Sequence, residues 1–320
     1  MLKLFADNRP YVLFVLPLLL GLMYGLDFQF GKTYSPSVLS FGTWGNVELS
    51  SLNSVLIAKC TGFLANLSLA ILLNYGFNNA EFADRNTYFP SFFFLLLIWS
   101  IPEMYFLSGL HFAILGIILM TQQYLILNQN TDGKQQVFNG AFFLGISATF
   151  IPANWLILPL VYAAILIFRP LIFREFFLFI LGAALPMLYS YTFAVVQNQR
   201  FALFPALDPN TSYDLNTYQV VLSIFFAVIS LFSVVWLTIN SSGKNNRQKK
   251  EIQAIYWVYA ASLLVCILHF YFTQAFSLPY LFFPLAVLFT FPFFEKKTSY
   301  FAQSLAYLLI LINLLKFLVL

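Results

Sequence analysis

Five titratable side chains stand in or beside apolar runs of the chain, where an unpaired charge is costly. They are Asp27, Lys59, Glu103, His111 and His269. Carboxylates and imidazoles exchange protons with substrates, and a lysine ammonium binds anions. If the runs cross a membrane, the five groups lie at a similar depth near its outer face, as expected of a site there. The alternative is that each group reaches the interface or closes a local hydrogen bond.

The composition requires that lipid, rather than water, surrounds much of the chain. Of 320 residues, 61% are apolar and 9% are charged, against about 25% charged residues in a soluble domain. Such a chain has too few polar residues to cover a globule in water, which excludes a soluble protein. Most of its 16 basic residues occupy short gaps between apolar runs, which indicates topology rather than nucleic-acid binding. Cys60 and Cys266 lie inside apolar runs and are expected to pack in the core.

A crossing helix needs about 20 apolar residues, and eleven runs approach or reach that length. The third, fifth and sixth runs are short and could be merged. We therefore expect an all-α bundle of nine to eleven spans that forms a single integral membrane domain over residues 1–320. Phenylalanine runs such as 92–94 and 291–294 are expected mostly to face lipid or the interface. The predicted spans cover residues 10–26, 53–75, 88–101, 106–127, 136–151, 153–169, 175–196, 217–239, 252–274, 278–294 and 299–318.

The basic residues also predict the orientation of the chain. With a cytoplasmic N-terminus, four of the 16 basic residues fall on the outer side and the remaining twelve on the inner side. An excess of Lys and Arg in cytoplasmic loops fixes the orientation of bacterial membrane proteins. We therefore expect a multi-pass protein of the bacterial inner membrane with a cytoplasmic N-terminus. The four outer residues are Lys32, Lys59, Arg200 and Lys316.

A reporter fused after Lys250 should therefore behave as cytoplasmic, and one inserted near Asp208 as external. The loop around Lys250 holds four basic residues, Lys244, Arg247, Lys249 and Lys250, which oppose translocation. Fusions to a phosphatase that is active only outside and to a fluorescent protein that folds only inside measure both positions. The opposite result at either position would invert the orientation and move the candidate site to the other face.

An inner loop carries the most distinctive polar stretch of the chain, which runs from Glu81 to Pro90. Asp84, Asn86 or Thr87 is expected to cap the third span, and Arg85 to pair with Asp84 or Glu81. These residues then have a structural role and lock the loop. The alternative is a docking site for a cytoplasmic partner or a lipid headgroup.

The outer loop from Asp27 to Leu52 alternates apolar residues, among them Trp44, with Ser, Thr, Gly and Asn. An amphipathic segment with aromatic residues partitions to the headgroup boundary. We expect this loop to lie on the membrane and to act as a lid over an outer site.

Over about residues 10–196 the order of features resembles the GT-C glycosyltransferases, multi-span enzymes that use polyprenyl-linked sugars. Residues 217–320 would add further spans to such a core. The stretch from Asp84 to Pro90 is also similar to one in an uncharacterised bacterial family of polytopic membrane proteins, which implies no function. The features shared with the GT-C class are Asp27 after the first span, a basic inner turn with Arg85, the outer turn from Ile101 to Ser108, and the glycine-rich run from Asn139 to Ile146 before Pro152 and Pro159.

The resemblance implies an outer loop with in-plane helices and a site that moves a sugar from a polyprenyl phosphate donor to a hydroxyl group. Such a site needs a carboxylate to deprotonate the acceptor and a cation or a divalent metal to hold the leaving phosphate. Membrane lipid and a lipid-linked sugar would be the partners. The implied residues are Asp27 as catalytic base, Lys59, Arg200 and His269 as substrate-binding residues, and Glu103 and His111 as metal ligands.

Two other classes of function fit the same sequence. One is a non-catalytic scaffold or accessory subunit that binds a membrane protein partner in envelope biogenesis, and the other is a lipid or solute transporter. All twelve carboxylates can be placed in loops or at span ends, which disfavours an ion-coupled transporter. A transporter would require a cavity at the membrane midplane, whereas acidic residues in an outer loop favour the enzyme. A structure that shows whether Asp27 and Glu103 face one outer cavity would be most informative.

Overall fold

The computed structural model describes residues 3–6, 11–30, 36–49, 51–82, 86–127, 132–197, 217–240, 245–273, 278–294 and 299–319. Within these ranges the chain is helical apart from one β-hairpin. The helices are α1 (Lys3–Ala6), α2 (Val12–Phe30), α3 (Leu52–Asn79), α4 (Phe89–Trp99), α5 (Gly109–Leu127), α6 (Lys134–Phe150), α7 (Leu158–Phe168), α8 (Phe173–Val196), α9 (Thr217–Asn240), α10 (Asn246–Thr273), α11 (Phe282–Thr290) and α12 (Ser299–Val319). The strands are β1 (Val38–Ser40) and β2 (Asn46–Glu48), and 3₁₀ turns cover Gly42–Trp44, Pro102–Tyr105, Pro152–Ile157, Leu278–Leu281 and Phe291–Phe294.

Seven of the described helices are long and apolar enough to cross a membrane, namely α2, α3, α5, α8, α9, α10 and α12. Only 22% of the apolar stretch of α2 and 28% of that of α3 is buried inside the protein, so the rest needs lipid. The predicted all-α fold is confirmed, and the seven candidate spans agree with a multi-pass membrane protein. The number of nine to eleven spans stays a prediction, because α4, α7 and α11 are shorter than the membrane core.

The interior of the bundle is built around two short helices. Every residue of α4 and of α11 is buried, and the two helices pack against each other. The ring centroid of Phe93 lies 4.7 Å from that of Phe289 and 4.9 Å from that of Phe293. The expectation that these phenylalanine runs face lipid is therefore wrong. Cys60, which was expected in the core, is exposed, and Cys266 is partly buried.

Helices α5, α6 and α8 form a closely packed group. A Cβ atom on Gly116 of α5 would lie 2.7 Å from the carbonyl oxygen of Phe143. One on Gly145 of α6 would lie 2.4 Å from that of Ala183. Small residues allow helix backbones to approach this closely in membranes. Helices α6 and α8 of this group contact the turn of the β-hairpin.

Three proline-containing turns lie at one end of the bundle, which we call outer after the predicted orientation. Helix α4 is followed by Pro102–Tyr105, α7 is preceded by Pro152–Ile157, and α11 is preceded by Leu278–Leu281. Proline has no N–H to continue a helical hydrogen-bond pattern. Non-helical backbone at membrane depth is tolerated where protein buries it or where it lines a cavity. The three turns therefore mark the place to look for a site.

At the opposite, inner end Thr87 locks the start of α4. The Thr87 N–H donates to Asn78 Oδ1 and Asn78 Nδ2 donates to the Thr87 carbonyl, both at 3.1 Å. The Thr87 hydroxyl donates to the carbonyl oxygen of Phe5 at 2.8 Å. It also accepts from the Phe89 N–H at 3.3 Å, although Tyr88 occupies the N-cap position. The predicted structural role of this loop is thus carried by Thr87.

Asp84 and Arg85, the two structural residues predicted for this loop, lie outside the described residues. Glu81, one of the partners proposed for Arg85, pairs with Arg247 of α10 at 3.2 Å. The Arg247 Nε atom lies 3.0 Å from Oε1 of the buried Glu251. The loop after α3 is thereby tied to the start of α10.

Candidate functional site

A cavity of about 360 Å³ opens at the outer end of the bundle. All three proline-containing turns contribute to its wall, together with the end of α10 and the β-hairpin. Leu39 lies on the hairpin side, and Ile151 comes from the turn before α7. Glu103, His269 and Tyr280 are the ionisable side chains among the described residues of the wall. We call this space the outer cavity.

The β-hairpin that covers the outer cavity depends on a tight chain reversal. Gly42 and Gly45 have φ angles of +64° and +102°, which side chains other than glycine rarely adopt. The strands pair antiparallel with Leu39 opposite Val47. The Leu39 side chain is buried while its neighbours on the strand are exposed. Residues 36–49 thus form strands and a 3₁₀ turn rather than the in-plane helices that the GT-C resemblance implies.

The hairpin is fastened to the outer end of α6. The Thr43 hydroxyl donates to the carbonyl oxygen of Thr149 at 2.7 Å, and the Trp44 indole N–H donates to the Thr149 hydroxyl at 3.0 Å. The Trp44 ring lies 5.2 Å from that of Phe193 on α8. The predicted lid role agrees with this position over the cavity, and contact with the membrane surface stays a prediction.

Gly42→Ala should detach this hairpin. A Cβ atom at position 42 would lie 2.1 Å from the carbonyl oxygen of Phe150, and φ is positive there, so overpacking and backbone strain together cost about 2 kcal/mol. Limited proteolysis from the outside of vesicles should then cleave residues 36–49 faster than in the unchanged protein. Gly25→Ala is the matched control, because nothing lies within 4 Å of its added Cβ. Equal cleavage of both variants would contradict the docking of the hairpin.

Glu103 and His269 share the outer cavity. Glu103 lies in the 3₁₀ turn between α4 and α5 and is open to the cavity. The surrounding protein displaces water and raises the pKa of its carboxyl above the ordinary range. The ring of His269, on α10, lies 6.0 Å from the ring of Tyr280. The sequence predicts that Glu103 and His269 lie at a similar depth, and in the structure both line the same cavity.

Asp27 lies elsewhere, in a buried ion pair. Lys316 Nζ lies 2.8 Å from Asp27 Oδ1 and 3.1 Å from Oδ2. The Lys316 side chain is 2% exposed and that of Asp27 is 13% exposed. Asp27 is not part of the described wall of the outer cavity. It therefore lacks both the free carboxylate and the position that the predicted catalytic base needs.

The chain matches no protein-family model, no curated protein and no solved structure. The resemblance to GT-C enzymes stays a prediction, and inference about function rests on the geometry of the site.

Both ring nitrogens of His111 form hydrogen bonds with the backbone of the turn between α4 and α5. The Ser108 N–H donates to its Nδ1 atom at 3.3 Å, so the neutral ring carries its proton on Nε2 and donates to the Met104 carbonyl oxygen at 3.2 Å. Within the described ranges no group of three His, Cys, Asp or Glu side chains could hold a metal. The predicted Glu103–His111 metal site therefore does not fit the observed contacts of His111.

The remaining predicted substrate-binding residues are Lys59 and Arg200. The Lys59 ammonium lies 5.4 Å from the ring centre of Phe106, which lines the outer cavity, and 6.0 Å from that of Phe28. Lys59 thus stands behind the cavity wall rather than in the described lining. Arg200 lies outside the described residues.

The sequence analysis missed the polar network beneath the cavity. The Tyr24 hydroxyl donates to the carbonyl oxygen of Tyr105 at 3.3 Å and accepts from Asn66 Nδ2 at 3.2 Å. The same amide lies 2.6 Å from the carbonyl oxygen of Met104. The sequence carried one signal that such a network exists. Lys316 is a lysine within an apolar span, and a residue of this kind usually has a specific partner.

Proposed function

We propose that the protein is a bacterial inner-membrane enzyme of cell-envelope biogenesis that transfers a sugar from a polyprenyl phosphate donor at the outer face. The observation that carries the proposal is the outer cavity, which is walled in part by the three proline-containing turns beside α4, α7 and α11 and contains Glu103 and His269. Concave sites with a few convergent polar groups on apolar walls are typical of small-molecule binding. Glu103 replaces Asp27 as the proposed base.

The proposed reaction needs one base and one stabiliser of the leaving group. The Glu103 carboxylate takes the proton of the acceptor hydroxyl while the new bond forms between that oxygen and the anomeric carbon. The bond from this carbon to the phosphate oxygen breaks, and polyprenyl phosphate leaves with the electron pair. The surrounding protein raises the pKa of the Glu103 carboxyl, which makes its carboxylate a stronger base. His269, which lines the same cavity, would donate a hydrogen bond to the leaving phosphate, and the positive charge of Lys59 behind the wall would favour the anion.

A second cavity supports a lipid-linked donor. It lies between α7 and α8, has a volume of about 360 Å³, and is lined by apolar and aromatic side chains. Its wall includes Trp155 and Leu158 of the chain segment that follows Ala153, a residue of the outer cavity. A prenyl chain is as apolar as this groove, so burial of the chain there would be favourable. The polar part of the donor would then lie in the outer cavity.

The packing of the interior disfavours a transporter. Helices α4 and α11, which lead inward from the walls of the outer cavity, are buried along their whole length and fill the space between the longer helices. A carrier with a midplane binding site needs discontinuous helices around a cavity at that depth. The binding experiment below distinguishes the enzyme from a non-catalytic scaffold.

The proposal is tested by binding of polyprenyl phosphate to the purified protein in nanodiscs. Decaprenyl phosphate should raise the thermal unfolding temperature, since a ligand at 100 times its Kd stabilises a protein by about 2.7 kcal/mol. Decaprenol and phosphatidylglycerol should each raise it much less, because one lacks the phosphate and the other the prenyl chain. Equal stabilisation by phosphatidylglycerol, or none by decaprenyl phosphate, would contradict the proposed substrate class and favour the scaffold.

Matched variants locate the binding. Ser108→Phe places a ring in the outer cavity, whereas Ser68→Phe places the same ring on an exposed face of α3. Ser108→Phe should remove the stabilisation by decaprenyl phosphate and Ser68→Phe should keep it. Loss of the effect in both variants, or in neither, would argue against binding in the outer cavity.

A further inference from the structure

We propose that Lys316 is a positioning residue that fixes the turn presenting Glu103 to the outer cavity. The inference rests on the proposed function for the role of Glu103, and on contacts beneath the cavity for the role of Lys316. Lys316 is not among the described residues of the cavity wall, and its hydrogen bonds go to residues other than Glu103. It acts through the backbone and side chains on either side of Glu103.

The Lys316 ammonium has an acceptor for each of its three N–H groups. Besides Asp27, these are the carbonyl oxygen of Trp99 at 2.7 Å and the hydroxyl oxygen of Tyr105 at 3.3 Å. Trp99 is the final residue of α4, and Tyr105 is the final residue of the 3₁₀ turn. Glu103 lies between them in the chain. One buried ammonium thus holds both ends of the short segment that carries the candidate base.

This segment needs such an anchor because its carbonyl groups have left the helical pattern. The last carbonyl groups of a helix have no intrahelical donor, and inside a membrane protein water does not readily replace it. Helix α12 supplies the donors: Asn313 Nδ2 donates to the carbonyl oxygen of Leu96 at 3.0 Å, one turn before Lys316 donates to that of Trp99. The positive charge of Lys316 also interacts favourably with the negative, C-terminal end of the α4 helix dipole. Tyr218 of α9 donates to the next carbonyl oxygen, that of Ser100, at 2.9 Å.

Overall stability alone does not account for an ion pair at this position. Replacement of a buried ion pair by uncharged residues of similar volume often leaves a protein as stable or makes it more stable. What an uncharged pair does not reproduce is the set of directed hydrogen bonds to Trp99 and Tyr105. Replacement of the ion pair should therefore affect two properties differently, namely the stability of the bundle and the order of the turn. Experiments can measure each of them independently.

The decisive variant is Asp27→Asn combined with Lys316→Met, which removes both charges and leaves no unpaired ion. Hydrogen exchange of the segment from Trp99 to Ser108, measured by mass spectrometry in nanodiscs, reports the order of the turn without any need for activity. We expect at least tenfold faster exchange in this segment, with exchange in α9 and the unfolding temperature nearly unchanged. We also expect kcat for sugar transfer to fall by about 10²-fold with little change in KM, as for misplacement of a catalytic group by about 1 Å.

The outcomes distinguish this inference from the proposed function. Unchanged exchange of the Trp99 to Ser108 segment in the double variant would overturn the positioning role, whatever the activity. Faster exchange with full activity would overturn it as well, because the order of the turn would not matter for Glu103. Faster exchange in a protein that shows no transfer even when unchanged would support the anchoring role and count against the proposed reaction. Global loss of protection, including α9, would make Lys316 a general stabiliser and contradict the inference.

Discussion

Asp27→Asn on its own should destabilise the folded protein by about 3 kcal/mol. The change leaves the Lys316 ammonium, which is 2% exposed, without its counterion, and breaking a buried ion pair typically costs about 3 to 5 kcal/mol. We expect the lower end, because the Asp27 side chain keeps 13% exposure. Thermal or denaturant unfolding in a fixed detergent measures the loss.

The control for this prediction is the double variant Asp27→Asn with Lys316→Met. Removing the second charge should return the stability to within about 1 kcal/mol of the unchanged protein. From the sequence alone, Asp27 at the end of a helix is expected to act as a base, and its amide to leave folding nearly intact. A single variant as stable as the unchanged protein would therefore restore the sequence-based interpretation and remove the importance of the ion pair.

Glu103→Gln should lower sugar transfer by a factor of about 10² to 10⁴, the usual contribution of a general base. The amide keeps the shape of the side chain but does not accept the proton. Turnover is measured as release of polyprenyl phosphate from a polyprenyl-phosphate sugar by the protein reconstituted in vesicles. Glu48→Gln is the matched control, because Glu48 is exposed on β2 and is not among the described residues of the cavity wall. Equal activity of the two variants would exclude Glu103 as the base.

The raised pKa of Glu103 also sets the direction of two pH effects. In the unchanged protein, activity should fall as the pH drops through this raised pKa, because the base becomes protonated. The stabilising contribution of a carboxyl whose folded pKa is raised is fully present below its unfolded pKa and is lost as the pH rises through its folded pKa. Glu103→Gln should therefore be at least as stable as the unchanged protein at neutral pH. A less stable variant would indicate a structural role for the carboxylate.

Several of the long helices were predictable from the sequence to within one or two residues. The run 217–239 became α9 (Thr217–Asn240), and the run 299–318 became α12 (Ser299–Val319). This agreement has a physical reason, since a membrane span must be a continuous apolar segment of limited length. The common depth of Glu103 and His269 followed from the same counting.

The ion pair could not be predicted in this way. Asp27 and Lys316 are separated by 289 positions in the chain, and only the folded arrangement of the whole bundle brings helices α2 and α12 together. Counting gives the depth of a side chain but not the neighbouring helix that it faces. Asp27 therefore appeared free, although its depth was consistent with that of Lys316.

The β-hairpin in the outer loop was not predicted, for a different reason. Its alternation of apolar and polar residues has the period of a strand, and Gly42 and Gly45 flank a turn, which together indicate a hairpin. The amphipathic character of the loop, taken alone, led to the prediction of a segment on the membrane surface. The phenylalanine runs show a further limit, because an apolar side chain suits lipid and a protein core equally well.

Photo-crosslinking with a polyprenyl phosphate that carries a diazirine next to the phosphate locates the substrate on the protein. The outer cavity predicts adducts on its lining residues, such as Phe106, Leu110 and Tyr280. Excess unlabelled polyprenyl phosphate should suppress these adducts and phosphatidylglycerol should not. Adducts confined to exposed helix faces, such as those of Leu18 on α2 and Leu231 on α9, would contradict a substrate site in the outer cavity.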